Sequence, residues 1–214
     1  MPYAAQSESR CFKLERKMTP KQIKTQARKD LVYKTAIDLF LSQGYRATTM
    51  RQISETSGVS IGSIYHFYEN KEAILTQLGA TLMMTNGIAR LSVTEENLAD
   101  PITTVILYYV DVAKRFQQIG PELTHHLQMQ ISRVWQNPDG SNNDLYIVPE
   151  LVNYIAEAQK RGKMDASVSP LETARMLQSA SEGILGTWFL QNGSFSLAEY
   201  AEEFMTRFAR SFAV

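Results

Sequence analysis

Thr49-Met50-Arg51-Gln52-Ile53-Ser54-Glu55-Thr56-Ser57-Gly58-Val59-Ser60-Ile61-Gly62-Ser63-Ile64-Tyr65-His66-Phe67-Tyr68 is the stretch that decides the fold. Thr49 and Gln52 form a capping box, in which each side chain satisfies a backbone N–H of the other at a helix start. Residues 49–57 therefore read as a helix of little more than two turns. Gly58 supplies the permissive backbone that a tight inter-helix turn needs. Val59 is apolar where such a turn buries a residue, and Ser60 can cap a second short helix running to about Tyr68. Ile53, Val59, Ile64 and Tyr68 fall on one side, turned toward the segment before them. Two short helices joined this way form a helix-turn-helix, the second helix being free to enter a major groove. Its outer face carries Ser60, Ile61, Gly62, Ser63, Tyr65 and His66, none of them acidic, a set that a phosphate-lined groove accepts.

The same logic extends in both directions. Thr19-Pro20-Lys21-Gln22 is another capping box, with proline at the first helical position. Tyr33, Ala36, Ile37, Phe40 and Leu41 then recur at spacings of three and four, one stripe of a long helix that Gly44 stops. Asn70 caps a helix carrying Ile74, Leu75, Leu78 and Leu82, expected over residues 70–91. Asp100-Pro101, Gly120-Pro121, Pro149, Ser169-Pro170 and Ser196-Leu197 mark further starts. Gln136 to Asp144 reads as a loop. No alternation of period two is long enough for a strand, so the expected class is all-α, about nine helices.

Charge adds a direction. The 214 residues balance 22 basic against 22 acidic side chains, but residues 1–71 hold 12 basic and 6 acidic while the remainder holds 10 and 16. Arg10, Lys13, Arg16, Lys17, Lys21, Lys24, Arg28 and Lys29 concentrate the excess, as expected of an end that meets a polyanion. The longest apolar run, Val105 to Val110, is far below the roughly 20 residues of a membrane-spanning helix. The basic, non-apolar first 30 residues argue against a secretory signal. Cys11 is the lone cysteine, which fits cytoplasmic residence and excludes a multi-cysteine zinc module.

Residues 26–78 resemble the DNA-binding domain of the tetracycline-repressor (TetR/AcrR) family of bacterial transcription regulators. The resemblance is carried by Gly44-Tyr45, Thr48-Thr49-Met50-Arg51-Gln52-Ile53, Ser57 through Tyr65, and Asn70-Lys71-Glu72-Ala73-Ile74-Leu75. Farther on it holds only in outline: Gln159-Lys160-Arg161-Gly162-Lys163, Pro170, Ala174 and Gly183-Ile184-Leu185 look like the junction before the family's last two helices. The resemblance implies DNA contacts for nine residues. Thr49 would touch a phosphate, and Arg51 a phosphate or a guanine edge, which its forked guanidinium fits. Ser60, Gly62 and Ser63 would let the backbone approach the groove, and Ile61 would pack on a thymine methyl. Tyr65 would bond a phosphate, His66 would lie beside the backbone, and Lys71 would add a phosphate contact at a helix start. The sequence departs from the family at Phe67-Tyr68, where a polar aromatic followed by Phe is usual. Tyr68 then takes a core position and needs a hydrogen-bond partner, and no phosphate contact is carried over to Phe67.

The remaining chain is expected to sense and dimerise. Tyr108, Tyr109, Phe116, Met129, Trp135, Trp188, Phe189, Phe195, Phe204 and Phe208 supply its bulk. The resemblance implies a pocket for a small effector of apolar character, with Tyr108, Tyr109, His125, Met129 and Trp188 as candidate linings. Ala174, Ser179, Ala180, Ser181, Gly183 and Gly186 make the helix near 170–191 narrow. With the helix near 196–213, which carries Tyr200, Phe204 and Phe208, it would form half of a symmetric homodimer interface. Glu122, His125 and His126 share a helix, but their spacing is not HExxH and no further ligand is specified, so no metal is assigned.

The expected domains are a basic, flexible arm over 1–18, a DNA-binding domain over 19–70 with its helix-turn-helix at 49–68, and an effector-binding and dimerisation domain over 71–214. The expected function is a cytoplasmic, homodimeric, sequence-specific regulator, a repressor released from a palindromic double-stranded operator by its effector. It would not be an enzyme, and would have no cofactor and no membrane association. The alternatives are the same fold controlled by a protein partner or unregulated and, remotely, a metal-dependent hydrolase.

Overall fold

A computed structural model describes residues 19–84, 87–134 and 148–214. All regular structure among them is helical. The expected arm over 1–18 with Cys11, the expected loop over 136–144 and Trp135 lie outside the described residues.

Helix α1 (Pro20–Gln43) starts where the capping box places it. Thr19 accepts from the Gln22 backbone N–H at 3.3 Å, and Gln22 Oε1 accepts from the Thr19 N–H at 2.8 Å. Val32, Ala36 and Phe40 form its buried stripe. Helices α2 (Met50–Ser57) and α3 (Ile61–Phe67) pack across that stripe through Ile53, Val59, Ile64 and Tyr68, all buried. The polar end of Tyr68 finds the partner it needs: its hydroxyl donates to Gln77 Oε1 at 2.9 Å. Burial pushes that hydroxyl up to about 12, and Lys29 Nζ lies 5.3 Å from the ring centroid.

Asn70 caps α4 (Lys71–Met84), accepting from the Ala73 N–H at 2.8 Å. The single helix expected over 70–91 is described as α4 and the one-turn α5 (Gly87–Arg90), with residues 85–86 outside the description. Both lie against α6 (Pro101–Val134), the longest described helix. Arg115 of α6 donates to the Leu82 carbonyl at 2.8 Å, and Arg90 pairs with Asp111 at 2.6 Å. The start expected at Gly120-Pro121 is a break inside α6: Gly120 sits at φ 80°, so the second segment leaves on a new axis.

Helices α7 (Pro149–Lys160), α8 (Pro170–Leu190) and α9 (Leu197–Ala209) complete the body, followed by a 3₁₀ turn at Arg210–Phe212. Ser169 and Ser196 cap α8 and α9 as expected. One core runs from Val32 to Phe212 and is centred on α6, with α8 and α9 packed against it. The small residues of α8 divide: Ala174 and Ser181 are buried in the subunit's own core. Ser179 and Gly183 are exposed, in line with Met176, Thr187 and Leu190.

Candidate nucleic-acid interface

The turn between α2 and α3 is held by its own backbone. Gly58 adopts φ 70°, a left-handed conformation that costs an L side chain roughly 1 kcal/mol, and its N–H donates to the Ser54 carbonyl at 3.0 Å. The Ser54 hydroxyl donates to the Val59 carbonyl at 2.7 Å, locking the next residue. Ser60 caps α3, accepting from the Ser63 N–H at 3.4 Å, and the two serine hydroxyls lie 2.8 Å apart. With Val59 and Ile64 buried inward, the opposite face of α3 is left to solvent. Ile61 is 41% exposed and Tyr65 54%, while Ser60, Gly62 and His66 are also exposed and Ser63 is partly so.

Beside this ridge, Thr49 caps α2 by accepting from the Gln52 N–H at 3.2 Å. Arg51 is 86% exposed and pairs with Glu55 at 2.9 Å, an exchangeable surface pair. An open depression lies between the starts of α2 and α4, lined by Arg46, Thr49, Arg51, Tyr65, Asn70 and Lys71, with Glu69 and Glu72 also on its wall. Two helix N-termini carry partial positive charge toward it, which suits a phosphate. Arg46 is exposed on this rim and was missed by sequence reasoning. Its position between a helix-stopping glycine and a capping box is the signal that could have found it.

The structure brings eight of the nine candidate residues to the surface of this face. Lys71 is placed differently. Its Nζ donates to the Tyr45 carbonyl at 2.8 Å and lies 4.4 Å from the Tyr45 ring centroid, and burial lowers its pKa. The ammonium holds the end of α1 to the start of α4.

Tyr45 is the centre of that joint. Its hydroxyl donates to Glu72 at 3.1 Å, and burial is the main cause that raises its pKa. One side of its ring packs edge-on to Phe40, with 5.0 Å between centroids, and His126 of α6 lies 4.7 Å away. Burial, then the charge of Arg46, lowers the pKa of His126. The neighbouring Gly44, at φ 90°, leaves the carboxylate of Glu122 3.4 Å from where a Cβ would stand. The His125 and His126 rings lie 5.8 Å apart, and His125 also meets Phe189 at a tilt, with 4.7 Å between centroids. Among the described residues no group of three potential ligands is placed to hold a metal ion.

Of the candidate effector residues, Tyr108, Tyr109 and Trp188 belong to the buried core. Tyr108 and Tyr109 are buried and meet edge-on at 4.9 Å, and the Tyr109 hydroxyl points to Gln178 Oε1 at 3.5 Å. Trp188 is buried, but its indole N–H is already given to the Phe195 carbonyl at 2.9 Å. Met129 is half exposed, unlike the tyrosines. Sequence reasoning missed Gln178 and Glu182, polar residues on the inward flank of α8.

Residues 32–78 match the family model of bacterial regulatory proteins, tetR family. Among curated relatives, the transcriptional repressor KstR2 of Rhodococcus jostii is 40% identical over 43 residues, 20% of this chain and 21% of that protein. The probable regulator ArpR of Pseudomonas putida is 25% identical over 175 residues, 78% and 82% of the two chains. The chain covers less than half the length of the relatives that it matches above 30% identity. Among solved structures, Thermus thermophilus FadR, a repressor in complex with lauroyl-CoA, superposes with a TM-score of 0.62 at 19% identity over 85% of this chain and 92% of that one. SmeT, in complex with triclosan, gives 0.59 at 15% over 87% and 91%.

Proposed function

We propose that this chain, whose residues 32–78 match the model of bacterial regulatory proteins, tetR family, is a homodimeric repressor of that family that binds a palindromic operator and releases it when a small effector occupies the carboxy-terminal body. The observation that carries the reading is the exposed face of α3. Ile61, Gly62, Tyr65 and His66 are exposed, while Ile64 and Tyr68 spend the opposite face on the core. Arg46, Thr49 and Arg51 beside it supply phosphate and guanine contacts.

One helix-turn-helix reads too few base pairs for specificity, and a two-fold dimer sets two of them roughly 34 Å apart or a multiple of it. The outer surfaces of α8 and α9 suit that dimer. Tyr200, Phe204 and Phe208 form an aromatic row with centroids 6.3 and 6.2 Å apart, the first two exposed, beside the stripe of Met176, Ser179, Gly183, Thr187 and Leu190. Exposed aromatic and small residues in one patch favour close self-association.

Release would work through the joint at Tyr45. α4 is fixed to the body by Arg115 and to the DNA-reading helices by Lys71 and Glu72, so a shift of α4 against α6 would change the separation of the two recognition helices. An effector shifts that balance only by its difference in affinity for the two arrangements. The apolar effector character is supported by the lauroyl-CoA and triclosan held by two proteins of like fold. The direct test is selection of bound fragments from random DNA, followed by fluorescence anisotropy of the selected site against random duplex at fixed salt. A palindromic site bound at least about a thousandfold more tightly than random duplex is expected. Equal affinity for both would refute the reading.

A further inference from the structure

Arg51 and Glu55 stand one turn apart on α2, and the Arg51 Nε donates to Glu55 Oε1 at 2.9 Å. The order of these two charges works against the helix. Arg51 lies in the first turn, where unpaired backbone N–H groups carry partial positive charge, and Glu55 lies toward the other end. The stabilising order is the reverse, a carboxylate first and a cation four residues later. Both side chains are open to solvent, so the pair adds little to stability. Helix stability therefore does not account for it.

Reading a base does. The bond engages Nε, on the stem side of the guanidinium, and Glu55 leaves the two Nη groups at its end unengaged. That end is a fork that matches guanine O6 and N7. Arg51 and Tyr65 of α3 line the same depression, so docking α3 in a groove carries the guanidinium in beside it. The pair as a whole has no net charge. A phosphate is best met by an unpaired cation, and a carboxylate 2.9 Å from Arg51 would repel it. A guanine edge is neutral and offers two acceptors, so it takes the fork with the carboxylate in place. Arg46, exposed on the same rim, supplies the positive charge that a phosphate needs. As water leaves the docked surface, the attraction between Arg51 and Glu55 strengthens, so the fork is held most firmly when it meets DNA.

We infer that Glu55 is a specificity-determining positioning residue, which grips the Arg51 guanidinium by Nε so that its forked end reads a guanine edge, and which withholds Arg51 from the phosphates that every sequence offers. Glu55 acts through Arg51 and needs no base contact of its own. Of the two partners open to Arg51, phosphate and guanine, the pair selects guanine. The inference rests on the reading of α2 and α3 as a DNA-binding unit.

Fluorescence anisotropy of the full chain tests it, across a salt series, on the duplex selected from random DNA, on that duplex with each guanine–cytosine pair exchanged in turn for adenine–thymine, and on random duplex. Arg51→Ala identifies the guanine, as the position where exchange no longer costs affinity. Glu55→Gln keeps the size of the side chain and removes its charge. It is expected to lower discrimination at that guanine about three- to tenfold and to leave the other positions at wild-type discrimination. Random duplex should bind Glu55→Gln more tightly, with a log–log salt slope steeper by about 0.9 for each added phosphate contact. In the Arg51→Ala background, Glu55→Gln should leave discrimination unchanged, the mark of a residue that acts through another. Both side chains are exposed, so the variants are expected to keep wild-type thermal unfolding. The inference is overturned by discrimination that Arg51→Ala lowers at no guanine, by Glu55→Gln that tightens selected and random duplex equally or changes neither, or by the same loss of discrimination in the Arg51→Ala background. Failure of the DNA-binding reading is separately visible, as a wild type that prefers no sequence. A site that wild type selects and Glu55 does not influence defeats this inference alone.

Discussion

Glu182→Gln is expected to make the protein more stable at pH 8 and to leave it unchanged at pH 4. In the folded protein the carboxyl titrates at about 7 against an ordinary value of 4.5. The folded state therefore holds a proton that the unfolded chain has already released, and wild-type stability falls as pH rises from about 4.5 to about 7, then levels off. The gap sets a ceiling of about 3 kcal/mol. Because water reaches part of the side chain, about 1–2 kcal/mol is the working expectation. Glutamine keeps the hydrogen bond from Gln178 and has no proton to lose, so the difference between the proteins opens over that pH window. Urea unfolding at fixed protein concentration, from pH 4 to pH 8.5, measures it, with concentration fixed because any self-association would shift apparent stability. A difference that does not vary with pH, or a variant less stable at pH 8, would refute the reasoning.

Arg51→Ala should change stability by no more than about 0.5 kcal/mol, because its ion pair is a surface one, while operator affinity measured by anisotropy falls roughly 5- to 150-fold. Gly58→Ala forces an L side chain into φ 70° and should cost about 1 kcal/mol in urea unfolding. Nothing lies within 4 Å of the added Cβ, so the cost is conformational and not steric. Tyr45→Phe removes the 3.1 Å bond to Glu72 but keeps the ring against His126 and Lys71. About 1 kcal/mol of lost stability is expected, together with a weaker effect of effector on operator binding in a two-ligand titration. Phe204→Glu places charge in the exposed aromatic row and should give monomers by sedimentation velocity, with wild-type helix content by circular dichroism.

The helix-turn-helix was legible because its determinants are local. A capping box, a left-handed glycine, an apolar turn residue and a serine cap follow one another within a dozen positions, and each appears in the structure with the partner its type requires. Tyr68 is a further example: a hydroxyl in a core position implied a partner, and Gln77 is it. Lys71 was less legible. Its position at a helix start suits a phosphate, but the Tyr45 carbonyl that receives its proton lies 26 residues earlier, and no local pattern encodes that contact. The body resisted for the same reason. Tyr109, Gln178 and Glu182 meet across helices 69 or more residues apart in sequence. Aromatic content pointed to Trp188, whose indole N–H is committed to the Phe195 carbonyl of its own loop.

Tyr45 gives each of its parts to a different neighbour: hydroxyl to Glu72, carbonyl to Lys71, ring to Phe40 and His126. A residue gripped at so many points behaves as a rivet, and the three-helix headpiece should turn as a single rigid unit about it. Mutations that leave DNA reading intact but freeze the regulator in one state should then gather around this rivet, at Gly44, Glu122 and His126, and stay away from the face of α3.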